Sequence, residues 1–243
     1  MKKLPLLLLS AALLAACGTA AGSSGSAGLH DTTNLSTVRV SQATNAGSRE
    51  AALRDTGAHS AAPCEDRGVR CLVLQHIACE PPGVYEDVLR ERGISIDRVE
   101  LDEGEVLPDW RRYDLIVAMG GPMSANDDAE LPWVADEKTF IRAAVTAGTP
   151  YFGVCLGAQL LAASLGARVF QGPAPEVGVL PVSLTDEGRA DPVFAGLPRE
   201  FATLQWHGDT FELPEAAVLL AGSTSYPNQA FRVATISAGC TRS

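Results

Sequence analysis

The segment Gly153–Gly157 (GVCLG) contains the residue best suited to covalent chemistry. It follows an apolar stretch and precedes a helical one, the glycine-x-nucleophile-x-glycine pattern of a strand-to-helix elbow, here with cysteine as the nucleophile. A sharp turn leaves no room for side chains beside the nucleophile, which explains the two glycines. The turn also puts the Cys155 sulfur at a helix N-terminus, where free N–H groups and the helix dipole lower a thiol pKa.

The same turn offers a site for negative charge that develops on a substrate. The backbone N–H of Leu156 is expected to point at the oxyanion that forms when Cys155 attacks a carbonyl carbon. The residues therefore predict a nucleophilic cysteine with a backbone oxyanion donor beside it. The alternative is a buried structural cysteine in a glycine-rich turn, because the pattern is short.

Short apolar runs alternate with helical segments from about residue 70 onward. This alternation predicts an α/β fold of three layers, with a mostly parallel central sheet flanked by helices on both faces. Predicted strands cover 71–75, 94–101, 113–119 and 149–154, and predicted helices cover 83–93, 133–147 and 156–165. Shorter strands at 168–170, 178–184, 203–205 and 218–221 predict a small antiparallel extension. Ligands of such folds bind beyond the carboxyl ends of the strands, where Gly120–Pro122 and Gly153–Gly157 fall.

Four segments, in order along residues 70–232, resemble the motifs of the class I glutamine amidotransferases. Gly153–Ala167 resembles the nucleophile segment of that family, and Met119–Met123 (MGGPM) resembles its glycine-rich oxyanion strand. Pro175–Gly178 (PEVG) resembles the glutamine-contacting E-x-G segment of the family. Gln205–Asp209 (QWHGD) resembles a motif of the stand-alone members related to the glutaminase domain of GMP synthase. The resemblance implies the flavodoxin-like fold of this family.

The resemblance also implies a reaction and a role for each matching residue. Cys155 would attack the side-chain amide of glutamine and release ammonia, leaving a thioester that water hydrolyses. The backbone N–H groups of Gly121 and Leu156 would form the oxyanion hole, and Gln159 and Glu176 would hold the substrate. No cofactor and no metal are implied, and the ammonia would pass to a synthase partner.

One part of the family pattern is missing from this sequence. The family activates its cysteine with a histidine and a glutamate in a late Q-F-H-x-E segment, but the four histidines here are His30, His59, His76 and His207. His207 is left as a substitute base, a pocket-shaping group or a structural residue, and His76 as a strand-end or pocket-rim residue. The match to the family ends after Arg232 or Val233, so we expect a C-terminally truncated family domain.

The N-terminal segment resembles a bacterial lipoprotein signal peptide. Two lysines precede an apolar run that ends in Leu-Ala-Ala-Cys, so residues 1–17 are predicted to be the signal and Cys17 the site of lipidation. The alternative is a buried or interfacial N-terminal helix. Residues 18–68 are predicted to be a flexible tether, residues 69–233 the amidotransferase-like domain, and residues 234–243 a tail unrelated to the family. This organisation predicts a lipid-anchored protein of the cell envelope; the alternative is the cytoplasm, as is usual for the family.

Composition limits the other functional classes. Of the 243 residues, 46% are apolar, a proportion typical of a globular protein. The formal net charge of −10 argues against nucleic-acid partners and against membrane contact other than a lipid anchor. Three hypotheses stay open: a glutamine amidotransferase impaired by the missing histidine and glutamate, a non-catalytic anchored domain that binds glutamine or γ-glutamyl groups, and a γ-glutamyl peptidase that uses His207.

Overall fold

The computed structural model describes residues 9–11, 68–215 and 217–233, and these ranges contain nine strands and four α-helices. The strands are β1 (Leu9–Ala11), β2 (Arg70–Gln75), β3 (Ser95–Glu100), β4 (Leu115–Ala118), β5 (Tyr151–Val154), β6 (Val169–Leu184), β7 (Glu200–Phe211), β8 (Ala217–Gly222) and β9 (Ala230–Val233). The helices are α1 (Val84–Glu91), α2 (Pro132–Thr146), α3 (Leu156–Ser164) and α4 (Asp186–Ala190).

Five strands form a parallel sheet in the order β1-β5-β4-β2-β3. Helices cover both faces, as the alternation of apolar runs predicts. In β2, Leu72 and Leu74 join the main core with residues of α2 and α3, whereas Cys71 and Val73 face the opposite side and pack near Leu89 of α1. Burial on both faces explains why these strands are continuously apolar rather than alternating.

Helix α1 buries less apolar surface than its sequence suggests. Its pattern places Val84, Val88 and Leu89 on one face, yet Val84 is 63% exposed and Val88 is 46% exposed. The helix instead turns Tyr85 toward the sheet, where its ring lies 5.4 Å from that of Phe152. With only eight residues, α1 makes one such apolar contact surface and leaves the two valines in solvent.

The second sheet is antiparallel, with the order β7-β6-β8-β9, and it forms the predicted extension. The two strands predicted at 168–170 and 178–184 are in fact one strand, β6, whose register with β7 shifts between Gln171 and Glu176. The glycine and prolines of that stretch resemble a turn in sequence, but the strand passes through them as an irregularity. Strand β7 is also longer than predicted, so the QWHGD motif lies on a strand.

The first strand lies inside the segment predicted to be a signal peptide. Leu9–Ala11 pairs in parallel with β5, with Leu9 opposite Phe152 and Ala11 opposite Val154. These three residues are therefore a strand and not part of the alternative N-terminal helix. Signal-peptide function for residues 1–17 stays a prediction, and Cys17, the tether up to residue 67 and the 234–243 tail lie outside the described residues. Within the described ranges, no helix has both the length and the hydropathy needed to cross a bilayer.

Candidate active site

Cys155 lies at the junction of β5 and α3 in a strained backbone conformation. Its φ of 52° and ψ of −109° make it the only non-glycine residue with positive φ among the described residues. Such a conformation is costly for a side-chain-bearing residue and is found mostly where function requires it. The residue is buried, with 8% of its surface exposed. The strain favours a nucleophile at an elbow over a structural cysteine, which needs no such backbone.

The glycines on either side of Cys155 are required by packing. A Cβ atom on Gly153 would lie 2.6 Å from the carbonyl carbon of Gly157, and a Cβ atom on Gly157 would overlap the carbonyl oxygen of Ala118. The buried Tyr151 hydroxyl donates a hydrogen bond of 2.8 Å to the carbonyl of Gly157, which further fixes the turn. The steric reason predicted for the two glycines is therefore confirmed.

Two backbone N–H groups converge on the Cys155 sulfur. One belongs to Leu156, the first residue of α3, and the other to Gly121, which follows β4 across the sheet. Both donate to the sulfur, so both are within reach of an oxygen on a carbon that the sulfur attacks. These are the two donors that the family resemblance implies for an oxyanion hole, and the fold brings them together.

The thiol pKa is raised, although the elbow pattern predicts a lowered value. Burial raises the pKa of Cys155 to about 11, the nearby Glu80 carboxylate also raises it, and the hydrogen bonds from Leu156 and Gly121 lower it only in part. Sequence reasoning missed Glu80, which lies in the loop after β2 with a carboxylate oxygen against the Cα of Gly120. No motif marks Glu80, because only the fold brings it beside the elbow.

A cavity of about 450 Å³ opens beside Cys155, a volume that can hold an amino acid. Its lining includes Gln159 from α3 and both His207 and Asp209 from β7. The Asp209 carboxylate accepts a hydrogen bond of 2.8 Å from the Ser124 hydroxyl, which links the antiparallel sheet to the loop after β4. The structure thus places Gln159 at the cavity as predicted and adds Asp209 as a second polar group there.

His207 borders the same cavity but makes its contacts elsewhere. Its Nδ1 lies 3.0 Å from the Asp209 carbonyl oxygen, and its Nε2 lies 3.4 Å from Glu176 and 3.4 Å from the Gln229 amide nitrogen. The ring also packs edge-on against Tyr226 at a centroid distance of 4.5 Å. Within the described residues, neither ring nitrogen contacts the Cys155 sulfur. This geometry favours a pocket-shaping role; the role of substitute base stays a prediction.

Glu176 lies in the irregular part of β6, and protein groups surround its carboxylate. It accepts hydrogen bonds from the Gln229 side chain at 3.0 Å and from the Ser223 hydroxyl at 3.3 Å. The neighbouring Pro175 and Val177 line the cavity. Glu176 therefore supports the cavity wall through its partners on the β8–β9 loop, and its role in holding the substrate stays a prediction.

His76 lies at a strand end, the first of the two positions predicted for it. It follows β2, as expected of a strand-end residue, but it is 0% exposed and so does not lie at the pocket rim. Its ring packs against Trp133 of α2, with the ring centroids 5.7 Å apart. A polar ring buried this deeply needs hydrogen-bond partners, and these are the Gly120 carbonyl and the Glu137 carboxylate of α2.

Comparison with known proteins agrees with this fold and site. The family model described as glutamine amidotransferase class-I matches residues 84–234, more than half of the chain. The chain belongs to the class I glutamine amidotransferase family.

Individual relatives lead to the same family. The chain is 35% identical over 165 residues to the glutamine amidotransferase-like protein YfeJ of Salmonella typhimurium, covering 66% of this chain and 69% of that one. It is 38% identical over 117 residues to the glutamine-hydrolysing GMP synthase of Thermomicrobium roseum, covering 46% of this chain and 20% of the synthase. A crystal structure of a glutamine amidotransferase from Thermotoga maritima superimposes with a TM-score of 0.65 at 34% identity, over 69% of this chain and 73% of that one.

Proposed function

We propose that this protein cleaves the side-chain amide of glutamine at Cys155 and releases ammonia, with slow turnover. The observation that carries the proposal is the convergence of the Gly121 and Leu156 N–H groups on a strained, cavity-facing cysteine. Convergent backbone donors of this kind stabilise the oxyanion of acyl transfer, and losing one typically costs about 10²–10³-fold in rate.

The reaction runs in two steps at one sulfur atom. The thiolate of Cys155 attacks the amide carbon, and the carbonyl oxygen takes the negative charge between the N–H groups of Gly121 and Leu156. The C–N bond then breaks, and ammonia leaves after its nitrogen has gained a proton. Water attacks the resulting γ-glutamyl thioester, which restores the thiol and yields glutamate.

The charges around the cavity suit an amino-acid substrate. Asp209 lines the cavity near Cys155, and its negative charge contributes a small part of the rise in the pKa of the thiol. A carboxylate in that position can pair with the α-ammonium group of glutamine, as a charge-assisted hydrogen bond. Gln159 can donate to or accept from the substrate at the base of the cavity. Together these groups orient the side-chain amide toward the sulfur.

The slow turnover follows from the state of the thiol. With a pKa of about 11, Cys155 is almost wholly protonated at neutral pH, and only the thiolate is a good nucleophile. Within the described residues, no imidazole contacts the sulfur to remove its proton. A weakly activated nucleophile beside a formed oxyanion hole supports acylation well below the ~1–10³ s⁻¹ typical of enzymes.

Two further parts of the proposal rest on sequence and on relatives. The relation to a GMP synthase supports a synthase partner that accepts the ammonia. The signal-like sequence of residues 1–17 supports a lipid anchor at Cys17 and a place in the cell envelope. Mass spectrometry of the protein isolated from a bacterial membrane fraction tests the anchor: an acylated N-terminal Cys17 supports it, and an intact Met1 contradicts it.

The test of the activity separates the three hypotheses. Purified protein is incubated with L-glutamine or with a γ-glutamyl dipeptide, and glutamate, ammonia and the thioester on Cys155 are measured. We expect slow ammonia release from glutamine and a thioester that Cys155→Ser abolishes, whereas Cys79→Ser, at an exposed thiol, leaves both unchanged. Glutamine binding in calorimetry without any thioester would instead identify a binding domain. Faster cleavage of the dipeptide, lost in His207→Ala, would identify a peptidase.

A further inference from the structure

A buried ion pair lies behind the oxyanion strand, and the proposed reaction does not use it directly. His76, after β2, and Glu137, on α2, each have a side-chain exposure of 0%. The Nε2 of His76 lies 3.1 Å from both carboxylate oxygens of Glu137, and its Nδ1 lies 3.1 Å from the carbonyl oxygen of Gly120. Burying both charges of an ion pair costs free energy, so we expect a buried pair to have a role. The groups that it contacts indicate what this role is.

The protons of this pair can be placed from its contacts. A carbonyl oxygen only accepts, so the Nδ1 of His76 donates to Gly120. Opposite the Glu137 carboxylate, Nε2 donates as well and the ring is an imidazolium, the form that a raised pKa favours. Burial lowers the pKa of His76, but the charge of Glu137 and the hydrogen bonds outweigh this and raise it. The other carboxylate that faces this imidazolium is Glu80, whose pKa is raised by burial, an effect that the His76 charge only partly offsets.

The carbonyl that His76 holds belongs to the same peptide group as an oxyanion donor. In a trans peptide the C=O of one residue and the N–H of the next point in opposite directions within one rigid plane. The Gly120 carbonyl points to the His76 Nδ1, and the Gly121 N–H therefore points away from it, toward the Cys155 sulfur. Rotation of this plane would turn the donor away from the site.

The backbone itself does little to prevent that rotation. Both residues are glycines, whose φ and ψ angles are the least restricted of any residue. A Cβ atom on Gly121 would lie 3.0 Å from the Cβ atom of His76, so His76 also packs directly against the strand. The hydrogen bond from the imidazolium is the described contact that fixes the carbonyl end of the plane.

We infer that His76 is a positioning residue: the imidazolium, held by Glu137, locks the Gly120–Gly121 peptide in the orientation that aims the Gly121 N–H at the oxyanion. The inference rests on the proposed function for its catalytic consequence, but the orientation of the peptide is a separate structural matter. His76 does not touch the substrate and acts only through the peptide that it holds.

Two substitutions of His76 separate this role from simple core packing. In His76→Asn, the amide nitrogen takes the position of Nδ1 and keeps the bond to the Gly120 carbonyl, whereas the contact with Glu137 is lost. In His76→Gln, the longer side chain keeps an amide near Glu137 and loses the bond to Gly120. Each variant thus retains one of the two contacts, and both remove the charge.

Kinetics and inhibitor binding provide the first readout. The rate of glutamine hydrolysis and the affinity for the γ-aldehyde analogue of glutamine, which forms an oxyanion on Cys155, are measured for both variants. We expect His76→Gln to lower kcat and aldehyde affinity by roughly 100-fold with KM changed less than about threefold, and His76→Asn to stay within about fivefold of the wild type. Equal losses in the two variants, tracking the folded fraction in urea titration, would overturn the inference.

Crystal structures of the variants provide a readout that does not depend on activity. We expect the Gly120–Gly121 peptide to rotate in His76→Gln and to keep its orientation in His76→Asn; an unrotated peptide in His76→Gln overturns the inference even if the wild type hydrolyses glutamine. If the wild type has no glutaminase activity, the proposed function fails, and the peptide orientation still decides the positioning role. Should His76→Gln not fold, His76→Leu takes its place, because leucine has no donor for the Gly120 carbonyl, and the same rotation of the peptide is expected.

Discussion

The two sides of the cavity beside Cys155 are built in different ways. On the parallel-sheet side, main-chain N–H groups of Gly121 and Leu156 meet the sulfur at a strained turn. On the antiparallel side, the side chains of His207, Glu176 and Gln229 contact one another and, within the described residues, not the sulfur. In the proposed reaction, the first side would stabilise charge on the substrate and the second would shape the space that the substrate enters.

This difference shows that stabilising an oxyanion and activating a nucleophile are separable properties of the fold. The first depends on how closely backbone segments approach, which the glycines at 120, 121, 153 and 157 permit. The second depends on which side chain reaches the sulfur from a neighbouring strand. In the function proposed for this chain, the oxyanion hole is formed while the thiol stays protonated.

The largest effect is expected from Gly157→Ala, which disrupts the backbone-built side. The new Cβ would overlap the carbonyl oxygen of Ala118, a backbone atom that cannot move without shifting β4. We expect the free energy of unfolding in urea to fall by about 1–3 kcal/mol and thioester formation on Cys155 to fall more than ~10-fold. Gly68→Ala is the control, because nothing lies within 4 Å of its Cβ position. Unchanged thioester formation in Gly157→Ala would contradict the packing requirement.

An intermediate effect is expected from Glu80→Gln, which sharpens the contrast in thiol activation. The Glu80 carboxylate disfavours the thiolate, so its removal lowers the pKa of Cys155 from about 11 and shifts the pH profile of alkylation toward lower pH. At pH 8 we expect alkylation by iodoacetamide to rise roughly three- to tenfold. Glu91→Gln, an exposed position on α1, serves as the matched control. A slower reaction in Glu80→Gln would mean that the carboxylate assists the thiol instead.

The smallest effect on chemistry is expected from His207→Ala, on the side-chain-built side. Because His207 has no described contact with the sulfur, thioester formation should change by less than about threefold, and the free energy of unfolding should fall by about 1 kcal/mol as Glu176 and Gln229 lose a partner. His207→Asn, which can keep the bond to the Asp209 carbonyl, should recover part of that stability. If thioester formation fell 100-fold or more, His207 would have to act as the base, and the two sides of the cavity would not differ in the way described above.

What the sequence could predict follows the same division. The elbow, its glycines and the N–H of Leu156 depend on residues a few positions apart, so a five-residue pattern was enough to locate them. The role of Gly121 came from the family resemblance. The contact between His76 and Glu137, 61 residues apart, depends on how α2 packs against the end of β2 and left no local signal.

Errors in the predicted elements have equally local causes. The Gly-Pro-Ala-Pro stretch of β6 has the composition of a turn, yet long pairing with β7 carries the strand through it. The valines of α1 have the spacing of a buried face, but the contact is made by Tyr85. In both places, contacts between distant segments outweigh the local preference of the residues for a turn or for a buried helix face.

Because Leu9–Ala11 pairs with β5, cleavage of the N-terminal segment would change the parallel sheet. Removal of residues 1–17 as a leader and retention of β1 exclude each other, because the same residues would have to leave the chain and stay in the sheet. A processed protein would present the outer edge of β5, the strand that ends at Cys155, as unpaired donors and acceptors. Removal of the leader would therefore expose the edge of β5 near Cys155, where another strand could pair with it.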